Sequence, residues 1–322
     1  MRLILPFLRL IRWPNLVFIA LTQCLFYYCI SIPVFENNHA ATALPQEYFW
    51  FLVLASALIA AAGYIINDYF DLNIDRVNKP DRLVVDKIIR RRWAILWHLI
   101  LSSVAVLISF WIAHRLSDWH AYLAAFINMV CVAALLFYST TFKRKLLIGN
   151  VLISLLTAWT ILVLFVVQLK SWLLIKISYD VKNNYDLAAA KLYKYAILYA
   201  GFAFIISLIR EVVKDMEDME GDEKYGCRTM PIVWGVPAAK MFVAVWTVVL
   251  IAALCIVQFY VLQFGWWFSA VYCLLAIIAP LIWILRKLYH AKTAVQYHQL
   301  SSVIKAVMLA GILSMLFFKL YF

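Results

Sequence analysis

The apolar residues of this chain fall into nine runs, each about the length needed to cross the hydrocarbon core of a bilayer. The runs cover residues 14–34, 49–67, 94–113, 121–139, 148–168, 195–212, 241–261, 267–285 and 302–321. Because single strands cannot satisfy their backbone groups in lipid, each run is predicted to be a helix. Only short polar segments separate the runs. We therefore predict an all-α polytopic membrane protein with one transmembrane domain, residues 1–322, of about nine helices.

Composition excludes a soluble globular protein. The chain is 66% hydrophobic and only 14% charged, against about 25% charged residues in soluble domains. No small-residue cleavage site follows the first run, so we predict that it is a span and not a cleaved signal peptide. The six cysteines are scattered without CxxC spacing, which favours ordinary buried thiols. The histidines show no metal-ligand spacing, and we assign them no role.

Basic residues concentrate in alternate loops. Residues 1–12, 68–93, 140–147, 210–240 and 286–305 contain 22 of the 29 Lys and Arg residues. The positive-inside rule therefore places the N-terminus and these loops in the cytoplasm and the C-terminus outside the cell membrane. The net charge of +12 indicates contact with anionic lipid head groups and not with nucleic acid. Segment 169–194 is amphipathic and is expected either to lie in the membrane interface or to form an outer loop.

Acidic residues cluster in two short segments on the predicted cytoplasmic side. Residues 68–86 and 211–223 contain 12 of the 17 Asp and Glu residues. Within them Asp68, Asp71 and Asp75, and likewise Asp215, Asp218 and Asp222, have i, i+3, i+7 spacing. On a helix that spacing aligns three carboxylates on one face, where they repel each other unless a cation binds. Oxygen-only ligands favour Mg²⁺, and two such helix ends facing each other would form a pocket of six carboxylates.

Cationic residues accompany both acidic segments. Arg76, Lys79 and Arg82 follow the first segment, and Lys214, Lys224 and Arg228 flank the second. A metal with Arg and Lys can bind a diphosphate and stabilise it as a leaving group, which predicts an enzyme. Two alternatives are solvated interfacial charges and an ion path of a transporter. The acids lie at span ends and the spans lack paired Gly and Pro breaks, which disfavours transport.

The motifs resemble those of the UbiA superfamily of intramembrane prenyltransferases. Residues 67–82, NDYFDLNIDRVNKPDR, resemble its first motif, and residues 214–222, KDMEDMEGD, resemble its second. Smaller matches are Arg12-Trp13-Pro14-Asn15, Tyr138-Ser139, Lys143-Arg144 and Gly149-Asn150. The resemblance implies nine helices around a central cavity with a cytoplasmic cap. It also implies that a prenyl diphosphate binds in this cavity together with Mg²⁺, present as two ions.

The resemblance also implies roles for single residues. It assigns metal binding to Asn67, Asp71, Asp75, Asp218 and Asp222. It assigns catalytic roles to Asp68, Asp71 and Asp215. It assigns substrate binding to Asn15, Lys79, Arg82, Tyr138, Ser139, Lys143, Arg144, Asn150 and Lys214. Ionising an allylic diphosphate leaves a carbocation, which a dry cavity among apolar spans would protect from water.

The acceptor is the less determined substrate. Residues 210–222 and 228–231 are similar to the ether-lipid branch of the superfamily, which transfers a geranylgeranyl group to geranylgeranylglyceryl phosphate. Such an amphiphilic acceptor carries a phosphate, which Arg90, Arg91 and Arg92 could bind, although these arginines equally fit the positive-inside rule. After Arg82 the family continues with proline and glycine, whereas this chain reads LVVDKII. An aromatic acceptor of a quinone pathway, naphthoate or hydroxybenzoate, is the alternative.

Overall fold

The computed structural model describes residues 4–78, 83–170 and 179–321. Within these ranges nine helices are long and apolar enough to cross a membrane, and we call them spans 1 to 9 in chain order. They are Trp13–Glu36, Gln46–Asn78, Arg91–Leu116, Trp119–Thr140, Ile148–Gln168, Val181–Glu217, Val236–Leu262, Trp267–His290 and Ala294–Tyr321. Shorter helices are Ile4–Leu10, Phe142–Arg144, Met219–Lys224 and Met230–Val233. The predicted all-α architecture is confirmed.

The chain divides into two compact units. The first comprises Met1–Phe142 and Trp159–Ile197, and the second comprises Lys143–Ala158 and Leu198–Phe322. Spans 5 and 6 therefore each contribute residues to both units. The expectation of one domain over residues 1–322 stays a prediction.

Span 2 is the central helix of the first unit and packs against spans 1, 3 and 4. Small buried residues, including Ala55, Ala62 and Gly63, let the neighbouring helices approach closely. A Cβ atom on Gly63 would lie 2.8 Å from Cδ1 of Leu135 on span 4. Close packing of small residues therefore determines how spans 2 and 4 contact each other.

The second unit has its own apolar core, built from the C-terminal part of span 6 with spans 7, 8 and 9. Its fully buried members include Ile209, Val213, Val243, Leu281, Ile284 and Ile304. This core extends into the second acidic segment, because Val212 and Val213 are buried beside its polar residues. Packing of span 6 thus positions the start of that segment.

Two helices are longer than their apolar runs. The apolar run 49–67 ends before the first acidic segment, but span 2 continues to Asn78 and carries Asp68, Asp71 and Asp75 on one helix, as their spacing predicted. The run 195–212 was expected to begin a span, but the helix starts at Tyr179. The outer-loop alternative for segment 169–194 is therefore wrong for residues 179–194, whereas the interfacial alternative stays a prediction. Residues 171–178 lie outside the described residues. Buried Tyr185, Ala188 and Leu192 give this stretch a packed face, which sustains the helix.

Spans 1 and 8 each contain one widened turn. Residues Phe26–Ser31 and Cys273–Ile278 are π-helical. Pro33 and Pro280 each lie two residues after the widened turn. Proline lacks an N–H group and its ring clashes with the carbonyl four residues earlier, which a widened turn relieves. Both spans consequently remain continuous despite an internal proline.

Candidate functional site

The first acidic motif occupies the C-terminal end of span 2. Asp71 is 8% exposed, and Asp68 and Asp75 are partly buried. Asp75 lies in the last turn of the helix, which ends at Asn78. The C-terminal end of a helix carries partial negative charge, so carboxylates there are disfavoured without a nearby cation. A bound cation would therefore stabilise the carboxylates at this end of span 2.

Asn67 and Asp71 form a polar pair within this motif. The Asn67 Nδ2 atom donates a 2.7 Å hydrogen bond to Oδ2 of Asp71, one helical turn later. Asn67 Oδ1 is buried and accepts no hydrogen bond from any described residue. A buried carbonyl oxygen without a donor, beside a carboxylate, fits a hard cation such as Mg²⁺. The residues present thus suit the predicted metal.

Arg12 contacts the same motif from the start of span 1. Its Nη2 atom donates a 2.7 Å hydrogen bond to Oδ1 of Asp68, and its guanidinium lies 5.1 Å from the ring centroid of Tyr64. Arg12 adopts φ 50°, in the left-handed region, at the junction of helix Ile4–Leu10 and span 1. Burial lowers the pKa of Arg12, but Asp68, Tyr64 and Asp75 raise it by more, so the guanidinium stays charged.

The second acidic motif does not form one continuous helix. The helix of span 6 ends at Glu217, Asp218 has φ −96° and ψ 7°, and a new helix runs from Met219 to Lys224. The expectation of one helix face carrying Asp215, Asp218 and Asp222 is wrong on this point. The break has a physical reason, because it places Glu220 and Asp222 in the first turn of a helix. Carboxylates are stabilised there, whereas a longer span 6 would place them near its negative end.

Asp215 is held by a neutral donor from span 5. The Asn150 Nδ2 atom donates a 2.8 Å hydrogen bond to Asp215 Oδ2, and Asn150 is 8% exposed. One turn earlier, Glu211 accepts hydrogen bonds from Arg210 at 3.1 Å and Lys214 at 3.2 Å. Lys214, predicted to bind substrate, therefore has a carboxylate partner in this structure.

Lys143 and Arg144 lie close to the second motif. The Arg228 backbone N–H donates a 2.9 Å hydrogen bond to the Arg144 carbonyl, which joins the two loops. Next to Arg228, the buried Cys227 has a raised pKa, first because burial disfavours its thiolate. Asp222 and Asp215 raise that pKa further, and Lys143 and Arg144 lower it. Acidic and basic residues that are far apart in sequence thus share one electrostatic environment.

The other predicted substrate-binding residues have less direct support. Asn15 and Tyr138 are partly buried. Ser139 is 1% exposed, and its hydroxyl donates to the Leu135 carbonyl within span 4. Lys79 and Arg82 lie outside the described residues. Among residues 4–78, 83–170 and 179–321, no group of three or more His, Cys, Asp or Glu side chains converges as a ready-made metal cage.

Sequence reasoning missed two partners of motif residues. Arg12 belonged to a matched tetrapeptide, but only Asn15 of that tetrapeptide was assigned a role. His298 was assigned none, although its Nδ1 atom lies 2.9 Å from Oε1 of Glu217. The Arg12 contact had a local signal in the matched tetrapeptide. The His298 contact spans 81 residues of sequence and had no local signal.

Comparisons with known proteins bear on this site. Residues 38–303 match the model of the UbiA prenyltransferase family. A digeranylgeranylglyceryl phosphate synthase of Methanosphaera stadtmanae is 28% identical over 278 residues, which are 84% of this chain and 88% of that protein.

Two solved structures share the fold. One concerns digeranylgeranylglyceryl phosphate synthase in membranes; it has a TM-score of 0.60 and 23% identity, and the match covers 98% of this chain and 99% of that one. The other is a UbiA homologue from Archaeoglobus fulgidus bound to DMAPP and Mg²⁺. It has a TM-score of 0.54 and 15% identity, and the match covers 95% of this chain and 98% of that one.

Proposed function

The chain belongs to the UbiA prenyltransferase family, and on that premise we propose that it is a Mg²⁺-dependent transferase with a phosphate-bearing ether alcohol as acceptor. As a family member it is a multi-pass membrane enzyme that transfers prenyl groups. The proposed donor is geranylgeranyl diphosphate or a similar prenyl diphosphate. The proposed acceptor is a geranylgeranylglyceryl phosphate, and diphosphate is released.

The observation that carries the acceptor is the kinship with digeranylgeranylglyceryl phosphate synthases. The relative from Methanosphaera stadtmanae matches 84% of this chain, and residues 210–222 carry the corresponding form of the second motif. The metal has separate support. A UbiA homologue of the same fold was solved with DMAPP and Mg²⁺, and Asn67 presents a buried oxygen without a donor among the described residues.

In the first motif, Asn67, Asp71 and Asp75 would hold Mg²⁺. When bound, Mg²⁺ supplies positive charge that stabilises the departing diphosphate. The amide of Asn67 orients Asp71 through the 2.7 Å hydrogen bond without neutralising its carboxylate. Arg12 keeps Asp68 in a fixed position beside the metal ligands through the 2.7 Å ion pair.

In the second motif, Asp218 and Asp222 would hold Mg²⁺, with Asp215 in support. Asn150 orients Asp215 at 2.8 Å, much as Asn67 orients Asp71. Lys143 and Arg144 lie near Asp222, as their common effect on Cys227 indicates. These cations would bind diphosphate oxygens through charge-assisted hydrogen bonds. The ammonium of Lys214 has three donors, so it can bind Glu211 and a phosphate oxygen together.

The test is whether purified protein with Mg²⁺ transfers the prenyl group of labelled geranylgeranyl diphosphate to any of a panel of acceptors. Mass spectrometry identifies the prenylated products. We expect a doubly prenylated glycerol phosphate and no prenylated naphthoate or hydroxybenzoate. Asp71→Asn and Asp218→Asn should each lower turnover by about a thousandfold or more, the scale of losing a central charge-stabilising group. Both variants should retain the wild-type thermal unfolding midpoint.

Asn73→Ala is the matched control, because Asn73 lies on the same helix as Asp71 but is exposed. It should leave turnover unchanged. Normal turnover of both aspartate variants would exclude these residues from the metal site. A prenylated aromatic product would contradict the proposed ether-phosphate acceptor and support the quinone-pathway alternative.

A further inference from the structure

Four exposed cations surround the start of span 3. Lys87 lies in the turn before the helix, and Arg90, Arg91 and Arg92 occupy its N-cap and first two positions. We call these four residues the basic turn. They belong to the first unit, as does the first acidic motif.

The described residues provide little acidic charge to compensate the basic turn. The nearest acidic residue, Asp86, pairs with Arg76 at 3.0 Å. Within the described part of the chain, Lys87, Arg90 and Arg92 form no ion pair. The first turn of span 3 contains no acidic residue, and its N-cap makes no side-chain hydrogen bond. Cations at a helix N-terminus are disfavoured by the helix dipole, so an anion bound here would relieve this repulsion and accept the free N–H groups.

The turn is held in place by the core of its unit. Val85 and Ile89 form an isolated bridge and are 2% and 9% exposed. They pack in one cluster with Leu10, Ile65 and Ala94. The departure from the family pattern after Arg82 is thus a structured turn, which presents the exposed Lys87 between buried neighbours.

Arg91 connects the basic turn to the first acidic motif. Its guanidinium carbon lies 4.9 Å from the ring centroid of Tyr69, which directly follows Asp68 in sequence. Stacking on an aromatic ring leaves the edge of a guanidinium free to bind a phosphate with two parallel hydrogen bonds. A phosphate bound at this position would lie beside the motif that holds Asp68.

Neighbouring tryptophans indicate that the basic turn lies at the level of a membrane surface. Trp93 is 47% exposed in the first turn of span 3, and Trp97 is 36% exposed in the second. Exposed tryptophans concentrate at the level of lipid head groups. A ligand that reaches the basic turn from the bilayer would therefore be an amphiphile with its phosphate at the surface and its chain in the hydrocarbon.

From these observations we infer that the basic turn binds the phosphate group of the acceptor. The inference rests on the proposed function, because it requires an acceptor that is a phosphate monoester with an isoprenoid chain. Arg91 and the N-terminus of span 3 bind the phosphate, and Lys87, Arg90 and Arg92 supply further charge. The basic turn thereby selects phosphate-bearing alcohols over neutral ones.

The experiment uses the full-length protein in nanodiscs of phosphatidylcholine, which has no net charge. Geranylgeranylglyceryl phosphate and its phosphate-free alcohol serve as acceptors, with geranylgeranyl diphosphate as donor. Joint replacement Arg90→Gln and Arg92→Gln removes two of the supporting positive charges and should raise KM for the phosphorylated acceptor about tenfold. KM for the donor should not change. Arg91→Lys, which keeps the charge but loses the planar stack, should produce a smaller rise.

Arg115→Gln is the matched control, because Arg115 lies at the other end of span 3 and also faces an aromatic ring, at 5.7 Å from Trp111. It should leave both KM values unchanged. An unchanged acceptor KM in the double variant, or an equal rise for the phosphate-free alcohol, would overturn the inference. A defect that appears only with phosphatidylglycerol present would assign the basic turn to membrane lipid. If the wild-type protein transfers nothing to the ether phosphate, the proposed function itself fails.

Discussion

Two asparagines perform the same task at residue scale. Asn67 donates to Asp71 at 2.7 Å, and Asn150 donates to Asp215 at 2.8 Å. A neutral amide fixes the direction of a carboxylate but leaves its negative charge available, unlike an arginine or lysine. Aspartates proposed to take part in cation binding would therefore gain order without losing affinity for the metal. Asp68, which pairs with Arg12, is correspondingly less suited to direct metal binding.

Arg12 provides the first residue-scale prediction. Arg12→Gln removes the ion pair to Asp68 and should lower turnover roughly tenfold, the effect typical of losing an outer partner of a metal site. Thermal stability should change little because the two side chains are 37% and 21% exposed. Steady-state kinetics and thermal unfolding of the purified protein measure both. Arg9→Gln, an exposed neighbour, is the control; equal losses in the two variants would contradict a specific role.

Cys227 reports the charges around the second motif. Its pKa is raised by burial and by Asp222 and Asp215, and lowered by Lys143 and Arg144. Asp222→Asn should therefore move the pH midpoint of Cys227 alkylation downward, and Lys143→Gln should move it upward. The midpoint is measured by mass spectrometry of the modified peptide in EDTA. The pH midpoint is compared instead of the alkylation rate, because burial of Cys227 slows its reaction with the reagent in every variant. Shifts of opposite sign would disprove this arrangement of charges.

At the scale of elements, helices extend beyond their apolar runs. Hydropathy marks the part of a helix that suits lipid, whereas a helix ends where its backbone can no longer be stabilised. Span 2 continues through the first acidic motif to Asn78. In contrast, span 6 ends at Glu217, directly before Asp218. The same i, i+3, i+7 spacing thus occurs on a continuous helix in one motif and across a helix break in the other.

A buried asparagine links three spans. Asn128 on span 4 is 2% exposed, donates to Ser109 Oγ on span 3 at 3.0 Å, and accepts from Trp159 Nε1 on span 5 at 2.8 Å. Replacing Asn128 by leucine removes the hydrogen bonds from Asn128 to Ser109 and from Trp159 to Asn128 in an apolar environment. We expect Asn128→Leu to lower the free energy of unfolding by about 1 kcal/mol, as for other polar contacts between membrane helices.

A double-mutant cycle with Trp159→Phe measures this contact. The two substitutions should be non-additive, because they remove the same hydrogen bond. Unfolding by denaturing detergent gives the free energies. Ser302→Ala is the control, since Ser302 is exposed and its hydroxyl donates a hydrogen bond to the His298 carbonyl of its own helix. Full additivity of Asn128→Leu and Trp159→Phe would show that the hydrogen bond contributes nothing to stability.

At the scale of the whole molecule, charge distribution predicts the orientation in the membrane. The loops predicted to be cytoplasmic contain 22 of the 29 Lys and Arg residues. An odd number of spans places the two termini on opposite sides. The cytoplasmic location of the N-terminus stays a prediction, and it would bring both acidic motifs to the side where soluble prenyl diphosphates and Mg²⁺ are available.

Cysteine labelling tests this orientation. In a variant without the six native cysteines, Asn73→Cys and Ser117→Cys place single thiols on exposed positions at opposite ends of the span 2 to span 4 region. A membrane-impermeant maleimide should label Asn73→Cys only from the cytoplasmic side and Ser117→Cys only from the other side. The reverse pattern would invert the topology, and labelling of both from one side would contradict the span assignment.

The sequence by itself determined the elements and the chemistry of the motifs. Nine helices follow from hydrophobic length, and hydrophobic length depends only on neighbouring residues. The two aspartate triplets and their resemblance to UbiA prenyltransferases are equally local features, and the family match over residues 38–303 confirmed the resemblance. The N-terminal turns of span 6 were missed because polar residues on a packed helix do not register as apolar runs.

Only the tertiary structure decided which side chains meet. Arg12 and Asp68 are 56 residues apart, Asn150 and Asp215 are 65 apart, and His298 and Glu217 are 81 apart. A local motif can mark one member of such a pair, but the pairing itself depends on how helices pack and rotate about their axes. The same holds for the basic turn, where the residues were visible in the sequence. Their exposure, their lack of a counter-charge among the described residues and the stacking of Arg91 on Tyr69 required the folded chain.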